Sequence, residues 1–505
     1  MRRVVHLRGL SGLLAIVVLS VLSAQASAQE STQSAQTDAE HNTEEPKQAE
    51  QPVPVLTPPS EPIAPPAAAR AAPTPPKVGD LAITGYFRGS FGASSRKGRM
   101  TCFALANQQG TISKYRLGNE CEVWSETHLT LVTYVGDDGT VATMHVMPTV
   151  YIPSTYIGYS PNNAVNTPAM GATSTGAVLY FPNLYFDLKG ISWLHGGTAW
   201  AGTRYYKRES VYISDFFYWN PSGVGVGVED IELGKDLRLS YGAFAVDGEP
   251  GSPTDTTSPP LPNHVDFGIR NDLQLRGIKF WDSGEFQLGV QVIISDSSNP
   301  AASNGWGATL QFVQKVLGGE NKLAGQYGRG GGTGFGTLAR FYYPDFSVTH
   351  DLSETRLRFI DVLTIQPIDW LGAQVNYVYQ RDTNFLGNPG FTNVWKSWGG
   401  RVGVAVMKHV KLLGEIGHDE ITKNNGAPMQ YLAKYTGAIA LTADRGFWTR
   451  PEVRLFVTWA TWNQPAAIAG VDSGRLYTDV YVNPTTGLPL YSNGGIFGIQ
   501  AETWW

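Results

Sequence analysis

The stretch Ser113–Leu129, SKYRLGNECEVWSETHL, constrains the fold more than any other part of the chain. From Glu122 onward it alternates strictly. Trp124, Glu126 and His128 fall on one side of an extended backbone, and Val123, Ser125, Thr127 and Leu129 fall on the other. Successive strand side chains point to opposite faces, so one face is apolar or small and the other carries rings and charges. A water-soluble sheet would bury the Val/Leu face in a core. A strand crossing an outer membrane would give that face to lipid and turn Trp124, Glu126 and His128 into a water-filled lumen.

The same two-residue period recurs from Leu81 onward. Tyr86, Arg88 and Ser90 oppose Phe87, Gly89 and Phe91, and Leu184, Phe186 and Leu188 oppose Tyr185, Asp187 and Lys189. Val453, Leu455, Val457 and Trp459 alternate with Glu452, Arg454 and Thr458. No helical 3.6-residue pattern of any length intervenes, so the chain reads as all-β and antiparallel. Connections come in two sizes. Some are tight, as at Met407–Val410; others are long and rich in Gly, Pro, Ser and Asn, as at Tyr156–Gly176, Gly248–Asn263 and Gly328–Gly336. Short turns at one end and long loops at the other match an outer-membrane barrel. At ~10 residues per strand plus connections, residues 81–505 suit a barrel of about sixteen to eighteen strands.

The N-terminal segment carries an address. Residues 1–28 read as a signal peptide: Arg2, Arg3 and Arg8 precede the apolar run Leu10–Leu22, and Ala26-Ser27-Ala28 gives the cleavage pattern. That run is short of the ~18–20 apolar residues of a spanning helix, and no later segment reaches that length. Residues 29–80 hold no Phe, Trp or Tyr and eleven of the 31 prolines. They cannot bury a core, and read as a Pro-rich disordered periplasmic linker. The barrel is then residues 81–505. Nothing in a formal charge of −5 and a pI near 6.0 points to nucleic acid, whose binding requires a basic stripe. Only 42% of residues are hydrophobic, alongside 14 Trp, 23 Tyr, 21 Phe and 57 Gly, which suits strands that face water on one side.

Cys102 and Cys121 are the two cysteines of an exported chain. No cluster of further ligands surrounds them, so they read as one local disulfide, contributing about 3 kcal/mol by loop closure. At the C-terminus, Phe497, Ile499, Ala501, Thr503 and Trp505 form the lipid-side set, and Gly498, Gln500, Glu502 and Trp504 the lumen-side set.

Aromatics of a membrane barrel ordinarily sit on the lipid side, in two interfacial girdles. Tyr86, Trp124, Trp448 and Trp504 depart from that rule by sharing a strand face with Arg88, Glu126, Arg450 and Glu452, and Glu502. Rings set among charges in a wet lumen suit a ligand with an apolar face and a hydroxylated rim. Sugars have this form: pyranose C–H faces stack on aromatic planes, and their hydroxyls meet carboxylates and guanidinium forks.

SKYRLGNECE (Ser113–Glu122), WAGTRYYKRESVYISDFFYW (Trp200–Trp219), FWTRPEVRLFVTWATW (Phe447–Trp462) and the terminal WW resemble the maltoporin family of carbohydrate-selective porins. The resemblance runs from about Leu81 to Trp505. It implies an 18-stranded antiparallel transmembrane β-barrel, a homotrimer in the outer membrane of a Gram-negative bacterium, with a third loop folded inward as the constriction. It also implies an aromatic slide on Tyr86, Trp124, Trp448 and Trp504, and a polar track on Arg88, Arg116, Glu126, Arg208 and Asp215. Cys102 and Cys121 match the first-loop disulfide of that family. Phe217 stands where the family has a constriction tyrosine, Ser210 where it has a track aspartate, Glu320 where it has an aromatic, and Asn220 where an aspartate is usual. Losing hydrogen-bonding groups at the narrowest point should weaken discrimination among sugars.

The expected function is therefore passive diffusion of oligosaccharides, with outer-membrane lipid around the barrel and no cofactor. A general diffusion porin is the alternative. An enzyme is disfavoured: G-x-S-x-G, H-E-x-x-H and P-loop patterns are absent, and His350-Asp351 lacks a serine at fixed spacing. An adhesin or plugged structural barrel would show no single-channel conductance.

Overall fold

The computed structural model describes residues 75–96, 98–100, 102–105, 114–153, 178–247, 267–295, 304–334, 353–385, 388–469 and 491–505. The signal, most of the linker, Ser113, His350-Asp351 and the loops Tyr156–Gly176 and Gly248–Asn263 lie outside the described residues.

The strands follow one another with little else between them. β1 (Leu81–Ser94), β2 (Glu122–Val135), β3 (Val141–Pro153) and β4 (Val178–Lys189) open the series. β5 (Thr198–Arg204), β6 (Gly223–Glu232), β7 (Arg238–Asp247), β8 (Phe267–Trp281) and β9 (Gly284–Ser295) follow. Next come β10 (Gly305–Val316), β11 (Gly319–Gly330), β12 (Thr355–Ile368), β13 (Leu371–Thr383) and β14 (Thr392–Met407). β15 (Val410–Lys423), β16 (Gln430–Thr442), β17 (Glu452–Trp462) and β18 (Asn493–Trp504) complete the sheet.

These eighteen strands pair antiparallel in order, and β18 returns to β1 with Tyr86 opposite Trp504 and Ser94 opposite Ile496. Closure removes both edges, so the strands' backbone groups are satisfied within the sheet, as a lipid surrounding demands. The two-residue turns all fall at one end. Between β10 and β11, Leu317 (φ 45°) and Gly318 (φ 73°) form a primed two-residue turn, which matches the strand twist. The tight turn expected at Met407–Val410 joins β14 to β15. The segment Gly328–Gly336, read as loop, is strand as far as Gly330 and a 3-10 turn at Gly331–Gly334. Its glycines let the backbone fold close over the inner wall, where Gln291 Nε2 donates to Gly332 O (2.8 Å).

Alternation along the strands sorts the two faces. On β17, Glu452, Arg454 and Thr458 are buried inside while Val453, Leu455 and Val457 are exposed outside; on β13, Gln374, Asn376 and Gln380 are inside and Val375 and Tyr377 outside. Exposed tryptophans ring the outer face at two heights. Trp306, Trp398 and Trp459 lie toward the long-loop end, and Trp193, Trp281, Trp370 and Trp505 toward the short-turn end. Among the described residues no helix is long and apolar enough to cross a membrane; the chain crosses with strands.

Among the described residues, two further long connections fold into the barrel. The one between β5 and β6 forms an inner hairpin, Glu209–Val211 against Phe216–Trp219, turned by the 3-10 segment Tyr212–Ser214 with Asp215 left-handed at φ 56°. It is held across the lumen: Gln374 Oε1 accepts from Ile213 N (3.1 Å), Gln326 Nε2 donates to Tyr218 O (3.0 Å), and Phe216 meets Trp395 edge-on at 5.0 Å. The connection between β1 and β2 also turns inward, which the sequence reading did not anticipate. The Cys102–Cys121 disulfide ties it, Tyr115 Oη lies 2.9 Å from Ser397 Oγ on β14, and Glu415 Oε1 on β15 accepts from Leu117 N (2.9 Å).

Candidate functional site

An aromatic rise crosses the inner face of five adjacent strands. Trp504 on β18 stands opposite Tyr86 on β1; Trp124 on β2 stands opposite Arg88, two residues nearer the long-loop end. Tyr151 on β3 is opposite Trp124, and the two rings meet edge to face at 6.1 Å. Tyr180 on β4 meets Trp124 from another side at 5.6 Å. Strand parity turns Trp504, Tyr86, Trp124 and Tyr151 inward; Tyr180 is out of parity with Tyr185 and Asp187 and points inward because the pairing of β3 with β4 shifts register between Met147 and Thr149.

Trp448 arrives differently. It lies in the turn before β17 and not on a strand, so the parity argument does not apply to it. It reaches the interior by packing edge-on against Tyr212 of the inner hairpin (4.8 Å) and against Phe447 (4.9 Å).

The rings do not stand open to water. Tyr86 and Trp124 are 2% and 1% exposed, whereas Trp448 and Trp504 keep partial exposure. What covers the rise is an ion cluster built where the two infolded connections meet the wall. Arg88 Nη1 lies 3.1 Å from Glu120 and 3.5 Å from Asp215, and Arg88 Nη2 lies 2.7 Å from Glu122. Lys114 Nζ contacts the same three carboxylates at 2.9–3.1 Å. Arg116 pairs with Glu120, donates to Tyr86 Oη and lies over the Tyr212 ring at 4.8 Å. Burial alone would raise the Asp215 carboxyl, but Lys114, Arg116 and Arg88 hold it below the usual carboxylate range. Glu209, deeper on the hairpin, is likewise raised by burial and brought below its ordinary value by Lys322 and Arg276.

Glu502 is the hub of the adjoining half. It accepts from Tyr86 Oη (2.9 Å) and from Tyr212 Oη, and faces Arg454 at 2.6 Å, Arg450 at 2.9 Å and Arg116 at 3.5 Å. Arg450 also lies 4.6 Å over the Trp504 ring. On the short-turn side the wall continues as a pocket lined by Arg401, Lys411, Arg445, Phe447, Arg450, Glu452 and Arg454.

Arg208 and Phe217 form a third part. The Arg208 guanidinium stacks 3.5 Å over the Tyr205 ring and 5.1 Å from the centre of Phe217. Its Nε, Nη1 and Nη2 are buried and meet no protein acceptor among the described residues. Tyr205 Oη donates to Glu126 Oε1 at 3.4 Å, which joins this part to the rise.

A closed barrel, a hairpin inside it and a buried charged constriction describe a channel. Residues 81–505 match the LamB porin family. The chain belongs to the LamB porin family. It is a multi-pass β-barrel of the outer membrane. Solved structures similar to this porin include OccAB1 of Acinetobacter baumannii, at 12% identity and TM-score 0.45, over 85% of this chain and 97% of that one. OpdK of Pseudomonas aeruginosa, solved with vanillate, is similar at 11% identity and TM-score 0.43, over 84% and 99%. The trimer form of OmpT from Vibrio cholerae is similar at 9% identity and TM-score 0.36, over 85% and 100%.

The ten residues read from sequence thus fall into three connected groups: the rise, the ion cluster and the Arg208 stack. Sequence reasoning gives no site role to Lys114, Glu120, Glu122, Tyr205 and Tyr212, and places Glu502 on the lumen side without making it a hub. Glu122 and Glu502 share strand parity with Trp124 and Trp504, a signal that was present. Tyr205 and Tyr212 lie on a loop, where no periodicity marks direction.

Proposed function

We propose that this porin passes sugars by diffusion, along Tyr86, Trp124, Trp448 and Trp504, with Arg88, Arg116, Glu126, Arg208, Asp215 and Phe217 as the polar and narrowing groups. The observation that carries this reading is the Arg208 guanidinium, stacked on Tyr205 with three buried nitrogens that meet no acceptor among the described residues. A buried donor fork left unpaired is costly, and the ring oxygen and hydroxyls of a pyranose supply acceptors while its C–H face lies on an adjoining ring. Membership of the LamB family supports the same substrate class and a homotrimeric assembly. The work done is passage and not catalysis. Residues 1–28 serve as the signal and residues 29–80 as the periplasmic linker.

Titration of planar-bilayer conductance with a panel of oligosaccharides tests the proposal. Saturable current block is expected, and Arg208→Ala should weaken it several-fold and alter ion selectivity. A second reading, a general diffusion porin, draws on the burial of Tyr86 and Trp124, which leaves fewer rings open to a passing solute. Absence of block by every sugar in the panel would favour that reading.

A further inference from the structure

The inner faces of β2, β3 and β4 carry a group of side chains that the sugar path does not use. On the short-turn side of Trp124, His145 of β3 stands opposite Thr130 of β2 and Tyr185 of β4. Its ring lies flat on Tyr185, with centroids 4.3 Å apart and planes within 2°. His145 Nε2 is 3.1 Å from Asp187 Oδ2. His145 Nδ1 is 3.3 Å from His128 Nε2 and 3.5 Å from Thr130 Oγ1. Lys189 Nζ approaches the same Asp187 oxygen at 3.6 Å.

Metal-binding histidines share this pairing of one imidazole nitrogen with a carboxylate. A carboxylate on one imidazole nitrogen fixes the ring and the tautomer that leaves a lone pair on the other. Asp187 does this at Nε2, so Nδ1 presents its lone pair toward His128. Two imidazole nitrogens held at about 2.0–2.1 Å by one tetrahedral ion stand roughly 3.3 Å apart. The two rings are already at that separation. Among the described residues no three His, Cys, Asp or Glu side chains converge on one point. Two nitrogens therefore come from the protein, and the Thr130 hydroxyl or water completes the shell. Imidazole suits Cu²⁺, Ni²⁺ and Zn²⁺, whereas Mg²⁺ and Ca²⁺ require oxygen ligands. We propose that His128 and His145, oriented by Asp187, form a site for a divalent transition-metal ion on the lumen wall, between the constriction and the short-turn mouth.

The test uses the full porin in planar bilayers with Zn²⁺ or Mg²⁺ as the probe. Zn²⁺ should lower single-channel conductance saturably, and Mg²⁺ at the same concentration should not. His128→Gln and His145→Gln should each raise the half-blocking Zn²⁺ concentration more than tenfold, and Asp187→Asn should raise it about 10- to 100-fold. Block unchanged in both histidine variants, or equal block by Mg²⁺, would overturn the assignment in favour of wall carboxylates. Should a variant fail to assemble, histidine acylation of the parent porin decides: protection of His128 by Zn²⁺ supports the site, and equal acylation with and without Zn²⁺ sinks it.

Discussion

Glu502 accepts hydrogen bonds from two phenols and faces three guanidinium groups while only 3% exposed. Replacing it with Gln keeps the shape and leaves those cations without their common counter-charge. Breaking a buried ion pair in this way costs about 3–5 kcal/mol, so Glu502→Gln should unfold at markedly lower denaturant when followed by loss of heat-modifiable migration. Asp215 makes a pH prediction with a definite sign. Its carboxyl is held below the ordinary range by Lys114, Arg116 and Arg88, so the stabilisation it gives the hairpin is complete above about pH 4 and fades only as pH falls through the lower folded value. The Asp215-dependent part of the conductance, read as the difference between the parent and Asp215→Asn, should therefore be constant from pH 7 down to about 4 and fade below it. A transition near pH 6 would mean that some other group holds the hairpin.

At the scale of elements, the two infolded connections are seated by different means. The hairpin 205–222 is held by ion pairs and carbonyl contacts, as where Arg276 and Lys322 each approach Glu209 at 2.9 Å. The first connection has, besides the ion pairs of Lys114, Arg116 and Glu120, a peg: the Tyr115 ring sits against Gly399 and Gly417, where a Cβ would come within 2.2 Å of it. Gly417→Ala should unseat the peg, since overpacking of this kind costs about 1–3 kcal/mol. The expected result is a larger open-channel conductance with unchanged strand content by circular dichroism. In a Tyr115→Ala background the same substitution should add nothing, because the clash has lost its partner.

For the whole molecule, what could be read in advance was whatever obeyed the two-residue period. Trp124, Glu126 and Arg454 announce their side by their neighbours along the strand, and so do the lipid-facing Val453, Leu455 and Val457. The inward path of the first connection could not be read, because Tyr115 and Leu117 are placed by Ser397 and Glu415, which lie far along the chain. The burial of Trp124 had no local signal either, since it follows from carboxylates and cations brought over it by two loops. Trp448 was placed on a strand because its neighbours Arg450 and Glu452 continue its parity, although the strand begins only at Glu452. The seam between β1 and β18 joins these scales: Tyr86 and Arg88 on one flank and Glu502 and Trp504 on the other belong to the constriction. An unclosed sheet therefore cannot own a finished filter. The ion pairs beside the inner hairpin are completed by the same pairing that seals the cylinder, so a half-assembled subunit would be without them as well as without the wall.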